Sequence, residues 1–121
     1  MASSEWARCR PWIEATLATG LGFETIEDVE RLIAHCVYQF WPGKRSAAIT
    51  QIMSFPQMKV LIVRMAGGDL AELIEMEKEF CRFARANGCK KIMGEGRKGW
   101  ERVCERMGYR FGYLMMEKAL T

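Results

Sequence analysis

The chain of 121 residues is poor in the side chains from which most catalytic engines and metal sites are built. It holds a single histidine, His35, inside a predicted helix and with no nucleophile motif beside it, which argues against a Ser-His-Asp or Cys-His mechanism. Five cysteines (Cys9, Cys36, Cys81, Cys89, Cys104) include no C-x-x-C pair, and His35 adjoins only Cys36. A zinc site needs clustered ligands, so no metal is expected, and the odd, scattered thiols read as reduced residues mostly on apolar helix faces. No run approaches the ~18 apolar residues of a membrane span, and the opening Met1-Ala2-Ser3-Ser4-Glu5 lacks the apolar core of a signal peptide. A cytoplasmic, soluble protein without membrane contact is the expectation.

What is present suits one compact unit. Half the residues are hydrophobic and 27% are charged, enough for one core, and the length leaves no room for a second; residues 1–121 are expected to form a single domain. The net charge of +3 is unevenly placed: residues 82–110 carry nine Lys or Arg against three acids, and the rest of the chain is net negative. Such a basic third attracts a phosphate-bearing ligand, a nucleic acid or an acidic partner, or forms a solvated face. Lys90, Lys91, Arg97 and Lys98 could meet phosphates and Trp41 or Trp100 could stack on bases, but no interleaved aromatic motif is present, and nucleic acid ranks last.

Periodicity orders the chain. Pro11 suits the first position of a helix continued by Trp12, Ile13, Thr16 and Leu17 and ended by Gly20 and Gly22. Thr25-Ile26-Glu27-Asp28 resembles a capping box, followed by Ile26, Val29, Leu32, Ile33 and Cys36 at helical spacing. Tyr38-Gln39-Phe40-Trp41, then residues 47–55, then residues 58–65 read as an antiparallel meander, the third strand apolar enough to be covered on both faces. Asp69 is a good N-cap for a long helix closed by Asn87-Gly88, residues 89–94 are a short strand, and Trp100, Val103, Cys104 and Met107 line a last helix ended by Gly108. The tail from Tyr109 to Leu120 reads as a final strand or bent strand pair. The order is that of a mixed α/β sheet with a crossover helix.

With these residues in view, the C-terminal half resembles the GNAT (Gcn5-related N-acetyltransferase) family, in particular small GNAT-like proteins of bacteriophages. The likeness is strongest in Asn87-Gly88-Cys89-Lys90-Lys91-Ile92, in Gly96-Arg97-Lys98-Gly99-Trp100-Glu101-Arg102-Val103 and in Gly108-Tyr109, closing with Met116-Glu117-Lys118. It covers about residues 10 to 120. The resemblance implies a single-domain GNAT-like (acyl-CoA N-acyltransferase) fold: a mixed, mostly antiparallel sheet flanked by helices. It implies acetyl-CoA as cofactor, its arm along the strand edge of Leu61, Ile62, Val63 and Met65, Arg64 opening the family's loop pattern, and its pyrophosphate at a Gly67-Gly68 turn on a helix N-terminus. It implies Glu95 as the base, and Cys104, standing where many members have a tyrosine, or Tyr109 as the acid. Two departures stand out: Arg64-Met65-Ala66-Gly67-Gly68-Asp69 follows the family's loop only through its fourth position, with Asp69 in place of a small residue, and Cys104 replaces the acid tyrosine. Two functions therefore stay open. One is acetyl transfer to an amine of a protein or small molecule; the other is a catalytically degenerate phage protein that binds a partner in the virion or the host cytoplasm. A homo-oligomer is compatible with both.

Overall fold

The computed structural model describes residues 4–96, 98–112 and 116–120. Helix α1 (Ser4–Ala18) begins earlier than Pro11, which lies in its interior, so the expected start is overturned. The reason is a stripe that spans the proline: Trp6, Cys9 and Ile13 recur on one face and are all buried. Pro11 is exposed on the opposite side, where water can take up the hydrogen bond that its missing N–H removes. Helix α2 (Ile26–Ala34) starts with the expected capping box: the Asp28 N–H donates to the Thr25 hydroxyl at 3.2 Å, and the Thr25 N–H to the Asp28 carboxylate at 2.9 Å.

Strands β1 (Tyr38–Pro42), β2 (Ser46–Ser54) and β3 (Lys59–Gly68) form the antiparallel meander. Helix α3 (Leu70–Ala86) then carries the chain to β4 (Cys89–Gly94), which pairs parallel to β3, giving the sheet order β1-β2-β3-β4. A single 3-10 turn (Lys98–Trp100) leads into α4 (Glu101–Arg106). This is the mixed, mostly antiparallel single-domain α/β fold that the sequence suggested. No helix is long and apolar enough to cross a membrane among the described residues.

One expected element is absent. Among the described residues no strand follows α4, and Phe111, Met116 and Leu120 stand exposed; Tyr113, Leu114 and Met115 lie outside the described residues. The start of the tail is held elsewhere, because the Tyr109 N–H returns to the Cys104 carbonyl at 3.0 Å and its hydroxyl donates to Glu77 of α3 at 2.9 Å. Those bonds tie it to the helices instead of to β4.

The sheet has a core on each face. Helices α1 and α2 cover one with Trp6, Cys9, Ile13, Ile26 and Val29 packed on Tyr38, Ala47, Ile49 and Met65. Helix α3 covers the other with Phe80 and Ala84 on Ala48 and Leu61, joined by Trp41 and Val63. A bulge reconciles the two along β3: Ile49 pairs with Met65 and Thr50 with Val63, so Arg64 is the extra residue. Leu61 and Val63 face α3, and after the extra residue it is Ala66 that faces α3 while Met65 turns to α1. Without the bulge, Met65 would share the face of Val63.

Candidate functional site

The bulge lies where β3 and β4 part. Their parallel register runs from Lys59 and Cys89 to Val63 and Gly94, and the last backbone bond is the Glu95 N–H donating to the Val63 carbonyl at 3.2 Å. Strand β3 continues for five more residues, still paired with β2 through Gly68. Among the described residues no strand takes the outer edge of residues 64–68. An edge that keeps one partner and loses the other offers free amides and carbonyls to an extended ligand.

Polar side chains gather at the parting point. The Arg64 guanidinium donates through Nε to Gln51 Oε1 at 3.0 Å and pairs with the Glu95 carboxylate across the split. Gln51 stands opposite Tyr38 in the β1–β2 register, and the Tyr38 hydroxyl donates to Glu24, the residue before the cap of α2. Burial first, then the bond to Glu24, push the Tyr38 pKa upward, so its proton stays on the phenol oxygen. Two carboxylates against one guanidinium leave one net negative charge. A shallow depression of about 240 Å³ adjoins this cluster, lined by Glu14, Leu17, Ala18, Glu24, Thr25 and Ile26.

The structure thus brings together two of the candidate residues, Arg64 and Glu95, and adds three that sequence reasoning missed: Glu24, Tyr38 and Gln51. Their only signals were a glutamate placed before a helix cap and polar residues in apolar strands. Tyr109 and Cys104 belong to a different group, between α3 and α4. There Glu77 accepts from the Tyr109 hydroxyl at 2.9 Å and contacts the Cys81 sulfur at 3.2 Å. Burial raises the pKa of Tyr109 and of Cys104, helped in both by the Glu77 charge, so both remain protonated at neutral pH.

Gly67 and Gly68 lie in β3 itself, paired with Ala47 and Ser46, and not in a turn. Only Asp69 separates β3 from α3. Both glycines answer to packing. A Cβ on Gly67 would come within 2.8 Å of the Trp12 carbonyl and 3.2 Å of Thr16 Oγ1; one on Gly68, at φ +108, would press on the Arg45 carbonyl and lie 2.6 Å from Ser46 Cα. Ile62 and Val63 belong to the part of β3 paired on both sides, whereas Met65 is paired only with β2.

No family model and no curated protein sequence matches this chain. Solved structures do resemble it. One described as a probable acetyltransferase has a TM-score of 0.72 at 10% identity, over 99% of this chain and 94% of its own. An aminoglycoside acetyltransferase from an uncultured soil metagenomic sample, solved in complex with sisomicin, gives 0.68 at 7% identity, over 97% and 89%. Glucosamine-6-phosphate N-acetyltransferase from Arabidopsis thaliana gives 0.62 at 13% identity, over 86% and 84%. At such identities the likeness concerns the fold, which is that of the GNAT acetyltransferases.

Proposed function

We propose that this protein transfers an acetyl group from a thioester of the acetyl-CoA type to a primary amine at the split between β3 and β4. The observation that carries this reading is the free edge of residues 64–68, open on one side and continuous with a net negative polar cluster. When bound, acetyl-CoA supplies an activated acyl group; the chain supplies the place and the charge. Residues 64–68 pair with the amide-bearing arm as an added strand would. The negative charge shared by Glu24, Glu95 and Arg64 draws a protonated amine. Arg64 already balances Glu95, so Glu24, held by Tyr38, is the carboxylate that takes the amine's proton. The leaving thiolate takes its proton from water, because Tyr109 and Cys104 belong to the separate Glu77 group between α3 and α4.

A second reading, a phage protein that binds a partner and transfers nothing, draws on the acidic start of α3, where Asp69 and Glu72 stand. Titration with acetyl-CoA, followed by calorimetry and by amine-dependent thiol release, separates the two. The transfer reading expects saturable binding and thiol release that falls about a hundredfold in Glu24→Gln. Absence of binding at millimolar acetyl-CoA leaves the partner-binding reading.

A further inference from the structure

The GNAT resemblance implies the diphosphate of acetyl-CoA at the amino end of the helix that follows β3, and here that end is capped by the chain itself. Asp69 caps α3, its carboxylate accepting from the Glu72 N–H at 3.0 Å. Glu72 then turns back onto the β1–β2 connection, accepting from the Arg45 N–H at 2.9 Å and from the buried Ser46 hydroxyl. The Asp69 N–H donates to the Arg45 carbonyl at 2.9 Å, so the connection lies against the start of the helix. The Ser46 bond first, and the Arg45 N–H second, hold the Glu72 carboxyl below its ordinary range, keeping it anionic.

Two nearby cations, Arg45 and Arg8, are engaged as well. Arg45 Nη2 lies 3.7 Å from Asp69 and 3.9 Å from Glu72. Arg8 donates to the carbonyls of Gly43 at 2.7 Å and Lys44 at 3.0 Å and to Glu5 at 2.9 Å. With a one-residue connection there is also no loop to wrap a diphosphate. At this helix end two carboxylates face the one guanidinium, Arg45, that pairs with both, and the excess negative charge disfavours a dianion.

We propose that this chain recognises its acyl donor through the thioester arm alone and draws no affinity from the donor's diphosphate or nucleotide. Its donor class is pantetheine thioesters, whatever their far end carries. This rests on the acyl-transfer reading above, and the test keeps the two apart.

Backbone amide shifts would be followed during titration with S-acetylpantetheine, with acetyl-CoA and with inorganic pyrophosphate. Both thioesters are expected to move the amides of residues 64–68, with dissociation constants within about threefold, a difference well under the 1.4 kcal/mol of a tenfold change. Pyrophosphate should leave the amides of residues 70–72 in place. Acetyl-CoA binding about tenfold or more tighter than S-acetylpantetheine, or saturable movement of residues 70–72 by pyrophosphate, would overturn the proposal. If neither thioester moves residues 64–68, the acyl-transfer reading and arm recognition fall together, while pyrophosphate still decides the claim about α3. In the double variant Asp69→Asn/Glu72→Gln, which keeps neutral hydrogen-bonding groups, acetyl-CoA should gain about fivefold over S-acetylpantetheine. Equal binding there would refute the assignment of the exclusion to those carboxylates.

Discussion

Two stretches separated by a single residue treat their backbone groups in opposite ways. Among the described residues the outer edge of β3 at residues 64–68 has no strand neighbour, so its outward-facing amides and carbonyls are unpaired by a strand. The start of α3, just beyond Asp69, is filled by two carboxylates and pressed against the β1–β2 connection. The lesson is that a strand edge can stay open while the helix end beside it is satisfied from within. Likeness of fold therefore does not carry likeness of every subsite.

The contrast can be broken most severely at Gly68. Gly68→Val forces a side chain into a conformation that glycine alone accepts readily and into the Arg45 and Ser46 backbone, so urea unfolding should show a loss of about 3 kcal/mol or more. Substitutions of this glycine or of Gly67 report on packing before they report on any ligand. Across the bulge, Met65→Ala empties a buried position facing α1 and should lower stability by about 2–3 kcal/mol, read as a lower urea midpoint with an unchanged slope.

The plugged end responds more mildly. Asp69→Ala should cost about 1 kcal/mol, whereas Asp69→Asn, which still caps, should stay within about 0.5 kcal/mol; equal losses in thermal melts would mean that charge, and not capping, is what Asp69 contributes. At the open edge, Arg64→Met should change stability by about 1 kcal/mol or less, because its partner Glu95 is well exposed. It leaves Glu24 and Glu95 unbalanced, so the KM for a cationic amine should fall a fewfold at low salt and return toward the parent value as salt is raised. A rise in KM would instead make Arg64 part of the acceptor's binding surface.

The smallest effect concerns acid. The Glu72 pKa is depressed in the folded chain, so its contribution is fully present above the unfolded value of about 4.3 and drains away as pH falls through the folded value. Glu72→Gln should therefore unfold with a shallower acid limb below about pH 4 than the parent. An unchanged limb would show that the contacts with Ser46 and Arg45 do not distinguish the folded from the unfolded carboxylate.

Much of this molecule was legible from its residues. Helical spacing located α2 and α3, the Thr25/Asp28 box and Asp69 set their starts, and apolar runs between turns gave the meander and β4. Local chemistry fixes such features, because caps and periodic faces act within a turn or two of the chain. The errors came where distant contacts outweighed local preference. Pro11 was tolerated inside α1 because Trp6, Cys9 and Ile13 fill the core on both sides of it, and the described start of the tail bonds Glu77 of α3 through Tyr109 instead of pairing with a strand.

The site shows the same division. Arg64 could be picked out from the family's loop pattern and Glu95 as an accessible carboxylate, but nothing in their separation of 31 positions joined them. Only the parting of two parallel strands, and a bulge that turns one residue out of register, brought them to Gln51, Tyr38 and Glu24. Composition and periodicity determined the class of fold, since burying apolar faces leaves few arrangements for these elements. Which backbone edge stays open and which helix end is closed was decided by tertiary structure, because each depends on whether a partner from a distant segment arrives to satisfy it.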